Sequence, residues 1–150
     1  EIESQVVLLK NWSEVHEIAF KIRYQVFVEE QFVPEDMELD EFDEVSWHAI
    51  AYRDLHPVAT SRMYLLDLNG LPTYRIGRMA VLPEYRGHGY GKMMMQMLLD
   101  QVDQERVLQS YLHSQLSVVD FYAKFGFEAI GDIFDEAGIL HQAMLRRHAQ

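Results

Sequence analysis

Arg86-Gly87-His88-Gly89-Tyr90-Gly91-Lys92 is the stretch that decides how this chain is read. It follows an apolar, strand-like run, Tyr74-Arg75-Ile76-Gly77-Arg78-Met79-Ala80-Val81-Leu82. It leads into Lys92-Met93-Met94-Met95-Gln96-Met97-Leu98-Leu99, whose composition suits a helix. Glycines at alternate positions between a strand and a helix let the backbone pass close to a ligand without Cβ clashes. The N–H groups opening the helix, and its dipole, then favour an anion such as phosphate. Spacing excludes two nucleotide loops. A dinucleotide fingerprint needs G-x-G-x-x-G, and here the third glycine comes one residue early, at Gly91. A P-loop needs G-x-x-x-x-G-K-[ST], and here Gly87 stands one residue too near Gly91-Lys92 while Met93 replaces the magnesium-binding hydroxyl.

Outward from the loop, residues 6–9 read as a short buried strand. Ser13 is the expected N-cap of a helix in which Val15, Ile18, Ala19, Ile22 and Val26 recur at helical spacing. Residues 29–44 hold nine carboxylates and no Lys or Arg. Residues 47–53, 58–66 and 74–82 read as three strands, the last stopped by Pro83, with a hairpin-type connection over 67–72. A helix to about Glu105 follows, then a strand over 107–112 and a helix over 117–125 with Gly126 just past its end. Residues 127–134 and 139–145 form a closing hairpin. There is no internal repeat, low-complexity tract or linker. The order β, α, three strands, α, β, α, two strands predicts a mixed α/β sheet with one parallel step near the glycine loop.

The 150 residues suffice for one domain, 1–150, with a real core. Hydrophobic residues are 49% and aromatics 12%, the composition of a folded chain. No run approaches the roughly 18 apolar residues of a membrane span, and no secretory pattern opens the chain. A cytoplasmic protein with no membrane partner is expected. Without Cys there is no disulfide, no thiolate metal site and no cysteine nucleophile. The seven His show no H-x-x-x-H spacing, so no metal is expected. A formal net charge of −11 argues against nucleic acid and suits a cationic substrate. An anion at the glycine loop would then need backbone amides and local basic groups, for which Arg78, Arg86 and Lys92 are placed.

The loop has the form [RQ]-x-x-G-x-[GA] and resembles the coenzyme A pyrophosphate loop of the GNAT superfamily of N-acetyltransferases. A second segment, Gln115-Leu116-Ser117-Val118-Val119-Asp120-Phe121-Tyr122-Ala123-Lys124-Phe125-Gly126-Phe127, is similar to another signature of that superfamily, N-x-x-A-x-x-F-Y-x-x-x-G-F. It departs at Gln115, where Asn is usual, and at Val118, where Ala is usual. Near the start, Arg23, Val26, Phe27, Val28, Glu30 and Gln31, followed by Glu38, Asp40, Asp43 and His48, resemble the N-terminal pattern of the ElaA-like branch. Phe134-Asp135-Glu136-Ala137-Gly138-Ile139-Leu140-His141 resembles the end of that branch, with Leu140 where Pro is usual. Part of the N-terminal pattern is shared with acyl-homoserine-lactone synthases, but those generally lack the glycine loop and the Phe-Tyr segment.

The resemblance implies a GNAT fold: a mixed, mostly antiparallel sheet of about six to seven strands, flanked by helices, with a splayed parallel pair at the cofactor site. It implies acetyl transfer from acetyl-CoA to a primary amine, on a small molecule or a protein, without a metal, and a possible homodimer. Cofactor contacts would come from Met79, Ala80, Val81, Arg86, Gly87, His88, Gly89, Tyr90, Gly91, Lys92, Gln115 and Tyr122. A lysine-like amine, with a pKa of about 10.4, must lose a proton before it attacks. Glu38, Glu30, Asp40 and His48 are the candidate bases, with Glu38 foremost. Arg23, Glu30, Asp40 and His48 are expected on the acceptor side; Arg23 is alternatively a salt-bridge partner holding the acidic loop. Backbone N–H groups of residues 79–81 would stabilise the oxyanion. Tyr122, a phenol protonated at neutral pH, would donate to the leaving thiolate. The bland alternatives are a solvated acidic loop, simple core packing for Phe121, Phe125 and Phe127, and a module that binds acetyl-CoA without turnover.

Overall fold

The computed structural model describes residues 4–148. Its elements are β1 (Gln5–Asn11), α1 (Trp12–Arg23), β2 (Trp47–Arg53), β3 (His56–Leu68), β4 (Leu71–Val81), α2 (Tyr90–Gln104), β5 (Gln109–Gln115), α3 (Val119–Ala123), β6 (Glu128–Glu136) and β7 (Ile139–Arg147). This is the expected element order. The seven strands form one sheet, ordered β1-β2-β3-β4-β5-β7-β6. β4 and β5 are the parallel pair, in register from Thr73↔Gln109 to Ile76↔Leu112. β1–β2, β2–β3, β5–β7 and β6–β7 are antiparallel.

Local chemistry explains the joints. Asn69 and Gly70, with φ of 53° and 83°, turn β3 into β4 with the positive dihedrals a tight hairpin requires. The N-cap of α1 is Asn11 rather than Ser13. Asn11 is extended (φ −86°, ψ 166°), and its Oδ1 accepts from the Glu14 N–H at 3.2 Å. The Ser13 hydroxyl donates to the same oxygen at 2.7 Å, so Ser13 supports the cap from within the first turn. After Arg23 the helix widens into a π-helical turn, Tyr24–Glu30, which leads into the acidic segment.

Two compact units divide the chain, Glu1–Tyr64 with Arg78–Gln101, and Leu65–Gly77 with Val102–Gln150. In the first, α1 lays Val15 and Ala19 on Ile50, and Ile22 and Val26 pack with Ala80. Met94, Met95, Leu98 and Leu99 are buried along α2, which makes the methionine-rich opening a core-packing feature. In the second, Tyr74, Ile76, Val102, Leu112, Phe127 and Met144 are buried.

Candidate functional site

In the first unit, β4 is kinked at Arg78, whose φ of 52° is a left-handed value for a non-glycine residue inside a strand. The kink precedes Met79, Ala80 and Val81, where the strand continues. Ala80 is fixed in the core by Ile22 and Val26. β4 then runs through a short turn at Pro83–Tyr85 into the glycine loop. Gly87 and Gly89 have φ of 81° and 86°, and a Cβ added to either would meet nothing within 4 Å. Glycine is therefore demanded by the backbone and not by crowding, and the space over the loop is open. The first intrahelical bond of α2 runs from the Met93 N–H to the Gly89 carbonyl at 3.0 Å. The N–H groups of residues 89–92 precede it, as anion binding at a helix start requires. Tyr90 anchors the loop: its side chain is 1% exposed and its ring meets Tyr85 edge-on. His88 is exposed.

The basic groups near the loop are committed in ways the sequence does not announce. Arg86 makes a two-pronged ion pair with Glu30, Nη1 to Oε2 at 2.7 Å and Nη2 to Oε1 at 2.6 Å, and its Nε donates to the Val81 carbonyl at 2.9 Å. The hydrogen bonds from Arg86 hold the Glu30 carboxyl below its usual range. Lys92 has no ion pair among the described residues.

The acidic segment closes on a cluster of arginines. Arg23, 1% exposed, donates to Glu38 Oε1 at 2.5 Å, to the Glu38 carbonyl at 2.6 Å and to Asp43 at 2.7 and 3.2 Å. Arg62 takes Asp40 through both oxygens, at 2.6 and 2.8 Å, and also Asp43 at 2.8 Å. Arg78 reaches Asp40 at 3.1 Å. Burial would raise the Asp40 carboxyl, but hydrogen bonds and charge from Arg62, with the charge of Arg78, outweigh it and hold the group at about 2. Asp43 is likewise lowered, its burial outweighed by Arg23 and Arg62. Burial, with Arg62 close by, pulls Arg78 below the ordinary arginine range. His48 is wholly buried, donates from Nε2 to the Asp43 carbonyl at 2.9 Å and packs on Trp12. Burial lowers its pKa. Arg23, Glu38, Asp40, Asp43 and His48 are thus brought together, joined by Arg62 and Arg78. Glu30 stands apart with Arg86. Four of the nine carboxylates are paired to arginine, while Glu29, Glu35, Asp36, Glu41 and Glu44 are exposed.

In the second unit, α3 carries Tyr122, 9% exposed, in an aromatic group with Phe121 and Phe127. Gly126, at φ 91°, ends the turn after α3. Phe121 and Phe125 pack together half-buried, and Phe127, 2% exposed, lies in the core. Burial pushes the Tyr122 phenol up to about 12. No hydrogen bond of this phenol is found among the described residues. Gln115 ends β5, opposite His141. Leu112 is the last β5 residue in register with β4; residues 113–115 continue the ladder with β7. Among the described residues, no group of three or more His, Cys, Asp or Glu could hold a metal ion, and no helix is long and apolar enough to cross a membrane.

The chain as a whole is similar to known proteins. The profile of the Acetyltransferase (GNAT) domain family matches residues 13–147. The uncharacterized protein YyaT of Bacillus subtilis is 37% identical over 138 residues, 89% of each chain. Escherichia coli ElaA is 30% identical over 132 residues, 87% of this chain and 86% of its own. Its crystal structure superposes with a TM-score of 0.83 over 95% of this chain and 99% of that one. A CoA-dependent acyl-homoserine lactone synthase, BjaI, solved with SAM and isopentyl-CoA, shares the fold at a TM-score of 0.77 and 15% identity, covering 96% of this chain and 83% of its own. A family match over residues 13–147, most of the chain, makes this chain a member of the GNAT acetyltransferase family, similar to ElaA.

Proposed function

We propose that this chain is a single-domain enzyme that transfers an acetyl group from acetyl-CoA to a primary amine, by direct attack in a ternary complex. The observation that carries the reading is the open glycine loop running from the kinked β4 into the start of α2. In the proposal the pyrophosphate lies on the amides of residues 87–92, with Lys92 as the available cation. Because Arg86 is bound to Glu30, it acts by fixing the loop. The thioester lies beside residues 79–81, whose N–H groups receive the developing oxyanion. Tyr122 gives its proton to the departing thiolate; a buried phenol with a raised pKa stays protonated throughout the neutral range.

The buried Arg23, Glu38, Asp40, Asp43 and His48 cluster is assigned to hold the acidic segment, whose exposed carboxylates draw in the cationic acceptor. Glu38 suits positioning better than proton removal. Its carboxylate is 1% exposed and already bound to Arg23, so it cannot take a proton without breaking a buried ion pair. His48, wholly buried, likewise positions the cluster and does not meet the acceptor.

The test is thiol release from acetyl-CoA with propylamine, spermidine and a lysine-containing peptide as acceptors. Turnover with any of them, saturable in both substrates, supports the reading. A protein that binds acetyl-CoA and turns over none of them points to a sensing or scaffolding module. The Arg23, Glu38 and Asp43 pattern favours one rival, acyl-homoserine-lactone-type acyl transfer. That rival predicts saturable binding of S-adenosylmethionine, which an acetyltransferase would not show.

A further inference from the structure

The second unit contains two chains of carboxylate, imidazole and hydroxyl. In one, Asp103 Oδ1 lies 2.8 Å from His148 Nδ1, and His148 Nε2 lies 2.7 Å from Ser110 Oγ. The order is that of a hydrolase triad, but Ser110 is 0% exposed, so no substrate reaches its oxygen. This chain, with the His148 N–H donating to the Leu108 carbonyl at 2.7 Å, ties down the residue after β7.

The other chain is open. Glu136 Oε1 lies 2.9 Å from His113 Nδ1, and His113 Nε2 lies 2.9 Å from Tyr111 Oη. The His113 side chain is 19% exposed. Three strands converge on this imidazole: β4 brings Arg75, β5 Tyr111 and β6 Glu136, while His141 of β7 stands behind Glu136. Arg75 Nη2 lies 2.9 Å from the same Nδ1, and Arg75 also sits over the Tyr111 ring. His141 donates from Nδ1 to the Ile139 carbonyl at 2.7 Å and faces Glu136 Oε2 at 3.5 Å. Phe134 meets His113 edge-on and supports it.

The contacts bear on the tautomer. Two groups compete for Nδ1: the Arg75 N–H can only donate and the Glu136 carboxylate can only accept, and pairing with Glu136 takes the Nδ1–H tautomer. Nε2 is then the acceptor and Tyr111 the donor. That hydrogen bond also holds the Glu136 carboxyl below its usual range. The position matters as much as the order. His113 is the first β5 residue past Leu112, where register with β4 ends. The strand alternation puts Tyr111, His113 and Gln115 on one face, all part-exposed.

We propose that Tyr111, His113 and Glu136 form the proton relay that neutralises the acceptor ammonium. The inference rests on the acetyl-transfer reading above. The ammonium N–H bond breaks as its proton passes to Tyr111 Oη, and the phenolic proton passes to His113 Nε2. Glu136 stabilises the resulting imidazolium through Nδ1–H. The neutral amine nitrogen forms the C–N bond, the C–S bond breaks, and sulfur takes the Tyr122 proton. The second proton lost by nitrogen restores Tyr122, and the imidazolium proton leaves to solvent. Tyr111 is the catalytic residue, touching the amine. His113 and Glu136 work through it.

The test compares wild type with Y111F, H113Q and E136Q, using propylamine and hydroxylamine as probe acceptors. Hydroxylamine is largely neutral at pH 7 and needs no base. Expected for H113Q is a loss of about 100-fold or more in kcat with propylamine at pH 7. The loss shrinks as pH rises, hydroxylamine turnover stays within a few-fold, and acetyl-CoA affinity is unchanged. Y111F and E136Q fall the same way, by smaller factors. Equal losses with both acceptors, or wild-type rates with propylamine, overturn the relay. Nitrogen NMR of the imidazole gives a readout independent of turnover. The relay requires His113 protonated on Nδ1 in the resting protein, and protonation on Nε2 contradicts it. Absence of acetyl-CoA binding in wild type would instead count against the acetyl-transfer reading, while leaving the tautomer measurable.

Discussion

Arg86 and Glu30, 56 residues apart, form a two-pronged ion pair whose arginine also holds the Val81 carbonyl. One guanidinium thus joins the end of the π-helical turn, the end of β4 and the start of the glycine loop. The consequence is that the charge beside the proposed anion site serves shape and not direct neutralisation.

Glu30→Gln should accordingly weaken acetyl-CoA binding while sparing the fold. The pair is part-exposed, 43% and 36%, so its loss costs at most about 1 kcal/mol of stability. Acetyl-CoA affinity should fall several-fold because the loop loses its brace. Calorimetric titration beside urea denaturation separates the two effects. A large stability loss with intact affinity would show that the pair serves folding alone.

Arg23→Met should behave in the opposite way. It removes the partner of Glu38 and Asp43 in a wholly buried setting. Breaking such a pair from one side costs about 3–5 kcal/mol. Urea denaturation should show that drop, or the variant should fail to accumulate as folded protein. A stable variant would mean that water enters the cluster.

Stability should depend on pH in two windows. Burial lowers His48 and His148, so the unfolded chain takes the proton first as pH falls. Their contribution is complete above the unfolded value near 6.5 and is lost as pH drops below it. Asp40 is held at about 2, below an unfolded value near 3.9. Its contribution is present above about 4 and lost as pH falls toward 2. Urea midpoints measured from pH 8 to pH 3 should decline first below 6.5 and again below 4. H148Q should flatten the first step, and a curve level from pH 8 to pH 5 would contradict the histidine assignment.

Tyr122→Phe should lower kcat for acetyl transfer by about 100-fold or more, leaving acetyl-CoA affinity nearly unchanged. With the phenol raised to about 12, wild-type activity should show no loss from this group up to pH 10. Thiol release across that range is the measurement. An unchanged kcat in the variant would move the acid role elsewhere.

The fold was legible because periodicity, turn chemistry and element order all agreed. The strand, glycine loop and helix at residues 74–99 specify their own local structure. Ser13 misled as the cap because Asn11, two residues earlier, is the better-placed acceptor. The side-chain partnerships were less accessible. Arg86 with Glu30, Arg62 with Asp40, and His113 with Glu136 are separated by 56, 22 and 23 residues. Alternation along β5 announces that Tyr111 and His113 share a face. It says nothing of Glu136 arriving from β6. The left-handed Arg78 carries no signal either, because glycine would be the expected residue at that φ and Gly77 lies beside it.

Calorimetric titration of acetyl-CoA into wild type and Gly89→Trp tests the central claim most directly. Gly89 combines a positive φ with open space above it, so tryptophan there both strains the loop and fills the space proposed for the pyrophosphate. Micromolar binding to wild type, lost in a variant whose circular dichroism matches wild type, is the predicted result. A folded wild type that binds no acetyl-CoA would contradict the account.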